Sequence, residues 1–232
     1  MLCITGDTHG EYASFLRRLE PYAPAQGDTV IVLGDFGFVW NDAQHRRQLR
    51  KLAALPFQIA FIDGNHEDFD LLACYPPEIW HGGRIHRITR NIVHLTRGQV
   101  FTFSGLHIFT MGGAYSIDRD FRAEGVNWWA QELPNIAEYR AAVENLSACG
   151  WAVDLVLTHT LPQSAIRQLG ILPDPHDAVL TAFLEKLNGK LQYSAWYAGH
   201  YHINRRLRPD LTVLFDGVEL LTPHYSVQEE TV

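Results

Sequence analysis

Two aspartates, one asparagine and five histidines stand in five short clusters along this chain, and all are oxygen or imidazole donors. The clusters read Gly6-Asp7-Thr8-His9-Gly10, Gly34-Asp35-Phe36-Gly37, Gly64-Asn65-His66-Glu67, Thr158-His159 and Gly199-His200-Tyr201-His202. Such donors suit Mn, Fe, Zn or Ni. No thiolate falls in any cluster, which argues against a structural zinc site. Asp7 and His9 sit two apart, as do His200 and His202, so an extended backbone puts each pair on one side. The flanking glycines let the chain turn sharply and approach an anion closely. Taken singly, each cluster has an ordinary explanation as a surface turn, a satisfied core pair or a loop of turn formers. Five in order, each closing an apolar run, do not.

The elements that must position them follow from patterning. Short apolar runs alternate with amphipathic stretches, the signature of α/β layers. Strands are predicted over residues 2–5, 29–33 and 57–62, and helices over 11–20, 42–54 and 67–73. From 80 to 111 the alternation is hairpin-like, with turns at Gly82-Gly83, Arg97-Gly98 and Ser104-Gly105. A helix over 134–148 has Pro at its start and Gly150 just beyond its end. A strand over 154–157, a helix over 176–187 and two to four strands within 194–221 complete the reading. In an open α/β sheet, ligands bind beyond the carboxyl ends of the strands, so the five clusters should converge. With no repeat, low-complexity tract or linker, residues 1–232 read as a single domain, with substrate-facing insertions around 75–135.

The order and spacing resemble the calcineurin-like metallophosphoesterase superfamily, whose blocks are D-x-H, G-D, G-N-H-[DE], a later H and G-H-x-H. The resemblance runs from Asp7 to His202. It implies an α/β fold, a four-layer α/β/β/α sandwich with two facing mixed sheets. It implies one divalent ion on Asp7, His9, Asp35 and His202, and a second on Asp35, Asn65, His159 and His200, with Asp35 and a water or hydroxide bridging them. Manganese leads the candidates, with Fe, Zn and Ni behind. His66 matches the family's catalytic histidine. Two cations about 3.5–4 Å apart lower the pKa of a bridging water and neutralise phosphoryl oxygens. The leaving oxygen then needs a proton, which a histidine is suited to supply.

The match is not uniform. The Ser/Thr protein phosphatases of the superfamily carry G-D-x-x-D-R-G, whereas Phe38 and Val39 stand here at the second Asp and the Arg. His66 therefore lacks its usual carboxylate partner. Those phosphatases also lack the last histidine of the final block, which His202 supplies here. Residues 80–97 hold Arg84, Arg87, Arg90, Arg97, His81, His86 and His94 and no acid; they read as a solvated hairpin face ahead of a phosphate-contacting rim. Arg119 and Arg122 lie three apart and are candidates for a shared helical face toward a phosphate. Trp128 and Trp129 read equally as a stacking wall for a base or ring and as packing. His45, His107, His176 and His224 read as structural or surface residues.

Composition narrows the partners. A chain of 232 residues, 47% hydrophobic, buries one large core rather than two. A net charge of −7 supplies no basic field for duplex nucleic acid. Three scattered cysteines read as buried thiols in a reducing compartment, and no signal-like or membrane-spanning run is present, so a cytoplasmic protein is expected. The expected activity is hydrolysis of a phosphate mono- or diester, small molecule or nucleotide. The rivals are a Ser/Thr protein phosphatase, a nuclease and an inactive scaffold for a protein partner. Lost ligands would mark the scaffold, and every ligand position is filled.

Overall fold

Thirteen strands among the described residues, 1–221 of a computed structural model, form two sheets. The first has a parallel centre of β1 (Leu2–Thr5), β2 (Thr29–Val32), β3 (Gln58–Phe61) and β6 (Ile92–Leu95). The antiparallel strands β4 (Pro77–Trp80) and β5 (Gly83–Thr89) extend one edge, and β13 (Val218–Leu221) pairs antiparallel with β1 at the other. The second sheet runs β11 (Arg205–Arg208), β12 (Leu211–Val213), β10 (Ala195–Ala198), β9 (Leu155–Thr158), β8 (Leu106–Met111) and β7 (Gln99–Phe103). Its four inner strands are parallel.

The two-residue side-chain period of a strand explains the layering. Leu2 and Ile4 point one way and join Ile31, Leu33, Leu155 and Leu157 in an apolar layer between the sheets. Cys3, Val30, Val32 and Phe61 point the other way, onto Phe15 and Leu19 of α1 (Tyr12–Leu19), Leu52 of α2 (Ala43–Ala53) and Leu72 of α3 (Phe69–Ala73). Beyond the second sheet, Phe109, Val156 and Trp196 meet Leu146 of α4 (Ile136–Ala148), Ile166 of α5 (Gln163–Gln168) and Leu184 of α6 (Ala178–Lys190). Three apolar layers separate four layers of structure, as the α/β/β/α expectation requires. Strands buried on both faces need apolar residues at every position, which is why the central runs do not alternate.

Several boundaries move for local reasons. Asp42 caps α2, its carboxylate accepting from the Gln44 and His45 N–H groups. Helix α4 begins at Ile136, not at Pro134, because Asn135 and Glu138 form a capping box there. Pro175–Asp177 is a 3₁₀ turn, so α6 starts at Ala178. The hairpin alternation after residue 80 is present but divided: β5 and β6 stay in the first sheet, while β7 and β8 open the second. Residues 77–111 are thus largely sheet, and 112–135 carry the side chains that reach the strand ends. Cys3 is buried, but Cys74 is exposed, contrary to the reading of buried thiols. It caps the five-residue α3, where only one face meets the core. His224 lies outside the described residues. Among those residues no helix is long and apolar enough to cross a membrane.

A buried ion pair joins the sheets. Asp63, just past β3, accepts from Arg97 Nε at 2.7 Å and faces His94 Nε2 at 3.0 Å. Arg97 also donates to the Gln131 carbonyl at 2.8 Å and reaches Glu138 at 3.3 Å. The arginine expected on a solvated face is therefore 5% exposed, while Arg87 pairs with Glu78 at the surface. Burial would raise the Asp63 carboxyl, but Arg97 and then His94 hold it well below its ordinary 3.8. A depressed folded pKa gives stability that is present above the unfolded value and lost as pH falls toward the folded one. Asp63→Asn removes the nearer of the two anions paired with the buried Arg97, leaving Glu138 at 3.3 Å, and should cost about 3–5 kcal/mol near neutral pH by urea denaturation. The gap from wild type should narrow as pH falls below 3.8, because Asp63 of the unfolded chain then binds a proton that the folded carboxyl takes up only at still lower pH. A pH-independent gap would mean that the lost packing, not the charge, matters.

Candidate metal centre

The five clusters meet at the carboxyl ends of β1, β2, β3, β9 and β10, and Asp35 ties them. Its carbonyl accepts from the N–H groups of Thr8 at 3.1 Å and His9 at 2.8 Å. Its Oδ1 accepts from the N–H groups of Asn65 at 2.9 Å and His66 at 2.8 Å. Asp7 Oδ1 in turn accepts from the His200 N–H at 3.1 Å, and the His159 carbonyl from Gly199 at 3.0 Å. His9, Asp35, His200 and His202 all hold left-handed backbone, with φ of 45°, 47°, 69° and 50°. Each such residue costs on the order of 1–3 kcal/mol, and clustering of such strain is typical of functional sites. Gly64 is required by contact: a Cβ there would strike the Asp35 amide and carboxylate.

Donor atoms of Asp7, His9, Asp35 and His202 lie within 4.8 Å of one another. His9 Nε2 and His202 Nε2 are 3.0 Å apart. Asp7 Oδ2 is buried without an aligned donor, 3.2 Å from His202 Nε2 and 3.7 Å from His9 Nε2. On the other side of Asp35, His159 Nδ1 donates to the Leu33 carbonyl at 2.7 Å. A carbonyl only accepts, so in the neutral imidazole that a metal ion requires the proton sits on Nδ1 and Nε2 presents a lone pair. That lone pair faces Asn65 Oδ1 at 3.1 Å and Asp35 Oδ1 at 3.4 Å. Asn65 is turned this way because its amide nitrogen donates to Ser116 Oγ at 3.1 Å. Acceptors facing acceptors at contact distance repel unless a cation lies among them. The orphaned Asp7 oxygen and these opposed lone pairs therefore fit divalent metal ions. The His200 ring stands 5.0 Å from that of His159.

Burial and neighbouring charge keep two of these groups, Asp35 and His200, in their ligating forms, while the Asp7 carboxylate pushes the His202 imidazole up. Burial opposes ionisation of Asp35, but His159, His66 and His9 hold its carboxyl below the ordinary value. Desolvation, with His159 beside it, pushes the His200 imidazole down to about 4. Ionised carboxylates and neutral imidazoles are what a cation requires.

His66 stands apart from the donor cluster, its ring 5.5 Å from that of His9. Arg122 Nη1 donates to His66 Nδ1 at 2.8 Å, and Asp118 holds Arg122 at 2.7 Å. The partner of His66 is thus an arginine. Arg119 is stacked, its guanidinium 3.9 Å from the Trp128 ring centre and 4.5 Å from that of Tyr115, with Glu132 at 3.4 Å. Trp129 is buried and donates to Asp70 at 2.9 Å, which is packing. None of the basic residues of 80–97 lines the cavity above the centre. His45 pairs with Asp42, His107 is exposed, and His176 stacks on Tyr115 at 4.5 Å.

Three supporting residues escaped the reading of the sequence. Arg18 on α1 donates to the Asp7 carbonyl at 3.1 Å and the Phe215 carbonyl at 2.9 Å, fixing the first loop. Glu67 accepts from the Phe36 N–H at 2.7 Å and the Gly37 N–H at 3.4 Å, bracing the turn after Asp35. Ser116 sets the Asn65 amide. Glu67 was visible within its motif; Arg18 and Ser116 carry no local signal.

A cavity of about 490 Å³ opens over Asp35, Asn65, His66, His200 and His202. Residues 2–204 match the model of the calcineurin-like phosphoesterase family. The chain belongs to that family. No curated protein matches the sequence significantly. Among solved structures, a protein serine/threonine phosphatase from Saccharomyces cerevisiae with similarity to human phosphatase PP5 aligns at 14% identity and a TM-score of 0.35. The alignment covers 92% of this chain and 66% of that one.

Elemental analysis of metal-replete protein should find two divalent ions per chain. Asp35→Asn should lose both, because that carboxylate faces both donor groups, whereas His202→Ala should lose no more than one. A wild-type stoichiometry that stays at one or below contradicts the assignment.

Proposed function

We propose that the family's phosphoesterase activity is directed here at small phosphate mono- or diesters, nucleotides included, at a centre of two divalent cations. Asp7, His9, Asp35 and His202 hold one ion; Asp35, Asn65, His159 and His200 hold the other. The observation that carries this reading is the meeting of unpaired acceptors on both sides of Asp35. When bound, such ions supply an activated water and neutralise phosphoryl oxygens, and a centre of nitrogen and oxygen donors without thiolate suits Mn, Fe, Zn or Ni, with manganese the first to be tested. The cavity volume falls within the range of about 300–1,000 Å³ usual for small-molecule sites. Asp118, Asp174 and Asp177 line the same cavity, which disfavours a polyanion and so a nuclease. Free cysteines among the described residues support a reducing, cytoplasmic setting.

The arginine beside His66 defines what that histidine does. A guanidinium has no acceptor, and its closer contact, Nη1 to Nδ1 at 2.8 Å against Nη2 to Nε2 at 3.4 Å, makes Nδ1 the acceptor and leaves the proton of the neutral imidazole on Nε2. Burial pushes the His66 pKa down, Asp35 opposes this, and Arg122 pushes it further down. His66 is then a neutral hydrogen-bond donor at neutral pH. Its work is to steady charge on a non-leaving phosphoryl oxygen rather than to deliver a proton to the leaving group.

His66→Asn should lower kcat by about 10²–10³, the cost of one oxyanion-type donor, with metal content retained. The loss should be similar for para-nitrophenyl phosphate and for an alkyl phosphate. A much smaller loss with the good leaving group would restore the general-acid role. Arg122→Ala removes a cation and a donor from the imidazole, so the His66 limb of the pH–rate profile should move to higher pH. A fixed limb, with only KM raised, would make Arg122 a substrate contact.

A further inference from the structure

The cavity over the centre has a second end with different chemistry. Ile117, Ile166, Ile171 and Leu172 form its apolar walls, and Asp174 and Asp177 lie among them. Three of these apolar side chains are unusually open, with Ile117 82%, Leu172 84% and Ile171 47% exposed. Scattered exposed aliphatics are ordinary, but a group of them around one cavity marks a surface that receives something apolar.

The acids are not equivalent. Asp118 is paired with Arg122 at 2.7 Å, and Asp174 accepts from the His176 N–H at 2.8 Å. Asp177 is only 5% exposed, and its Oδ1 is buried without a hydrogen-bond partner. It precedes α6 at the N-cap position, yet its side chain bonds none of the helix N–H groups that such a residue usually satisfies. Burial, with Asp174 next to it, pushes its carboxyl up to about 6. A buried carboxylate oxygen lacking a donor is destabilising in the free protein, so something outside the chain is the natural candidate to satisfy it. The stack of Tyr115 on His176 ties the 112–118 loop to the turn that carries Asp177, keeping this acid at a set distance from the centre.

We propose that this end of the cavity is a subsite for the alcohol half of the substrate, and that it takes an apolar group bearing an ammonium. The aliphatic walls cover the hydrocarbon, and Asp177 receives the cation while the phosphate lies at the donor cluster. The inference rests on the phosphoesterase reading for its kinetics but not for its binding. An anionic alcohol half is rejected at the same place.

Two measurements on the full chain test it. The first is calorimetric binding of benzylammonium, with phenylacetate as the anionic control, to wild type, Asp177→Asn and Leu172→Lys. The second is the ratio of kcat/KM for 4-(aminomethyl)phenyl phosphate to that for 4-methylphenyl phosphate in the same three proteins. Wild type should bind benzylammonium and not phenylacetate, and should prefer the aminomethyl ester by about tenfold or more. Asp177→Asn should bring the ratio close to unity. Leu172→Lys, at a position too exposed to disturb folding, should do the same by placing a tethered ammonium beside the acid. No preference in wild type, or a preference unaltered in both variants, overturns the proposal. If benzylammonium binding depends on Asp177 while no ester is hydrolysed, the subsite stands and the phosphoesterase reading falls. If both esters are hydrolysed at equal efficiency in all three proteins, the reverse holds.

Discussion

Asp35 sits in left-handed backbone with its carboxylate out of water, and it accepts four backbone N–H groups through two of its oxygens. A buried carboxylate and a strained φ each cost free energy of a few kcal/mol, and neither survives unless its surroundings over-determine it. The four hydrogen bonds do that, and they come from the loops that follow β1 and β3. The residue that faces both donor groups is thus also the knot between three strand ends. This coupling explains why the site tolerates four non-glycine residues at positive φ. It also explains why Gly64 must lack a side chain where it crosses Asp35.

The layers exist to keep that knot in place. Two sheets stacked through a dry interface put the carboxyl ends of β1, β2, β3, β9 and β10 along one rim. The helices outside seal the remaining apolar faces. Charge is then placed sparingly. Asp63 and Arg97 neutralise one another just behind the third loop, close enough to hold that loop without adding net charge at the donor cluster. Glu67 braces the second loop from below, where burial and Asp35 hold its carboxyl well above the usual range. Arg122 gives His66 a cationic neighbour where related phosphatases place a carboxylate. The consequence is a histidine biased toward its neutral form, beside a cavity whose far end is apolar and acidic.

Much of this was legible in the chain. The donor clusters, the α/β layering and most helices could be read because short-range signals carry them: apolar period, glycine turns, and Pro134 near a helix start. Other features depend on contacts between distant residues, which no local pattern records. The strands after residue 80 show hairpin alternation, but nothing in them says that β6 and β7 part into different sheets. β13 looks like a continuation of its neighbours, yet it crosses to pair with β1 because that edge is otherwise unpaired. Arg97 looked like one member of a basic surface stretch, and only the fold brings Asp63 to it. Arg18 and Ser116 support Asp7 and Asn65 through bonds across many residues. The spacing of Arg119 and Arg122 points toward a phosphate, whereas the contact of Arg122 with His66 depends on the course of the 112–135 segment, whose turns carry no regular period.

The central claim is that opposed acceptors on the two sides of Asp35 mark two cation positions sharing that carboxylate. X-ray diffraction from crystals grown with manganese, recorded at the manganese absorption edge, addresses it without reference to any substrate. The anomalous map should hold two peaks, one among Asp7, His9, Asp35 and His202 and the other among Asp35, Asn65, His159 and His200. A single peak, or peaks away from Asp35 at saturating manganese, would contradict the account.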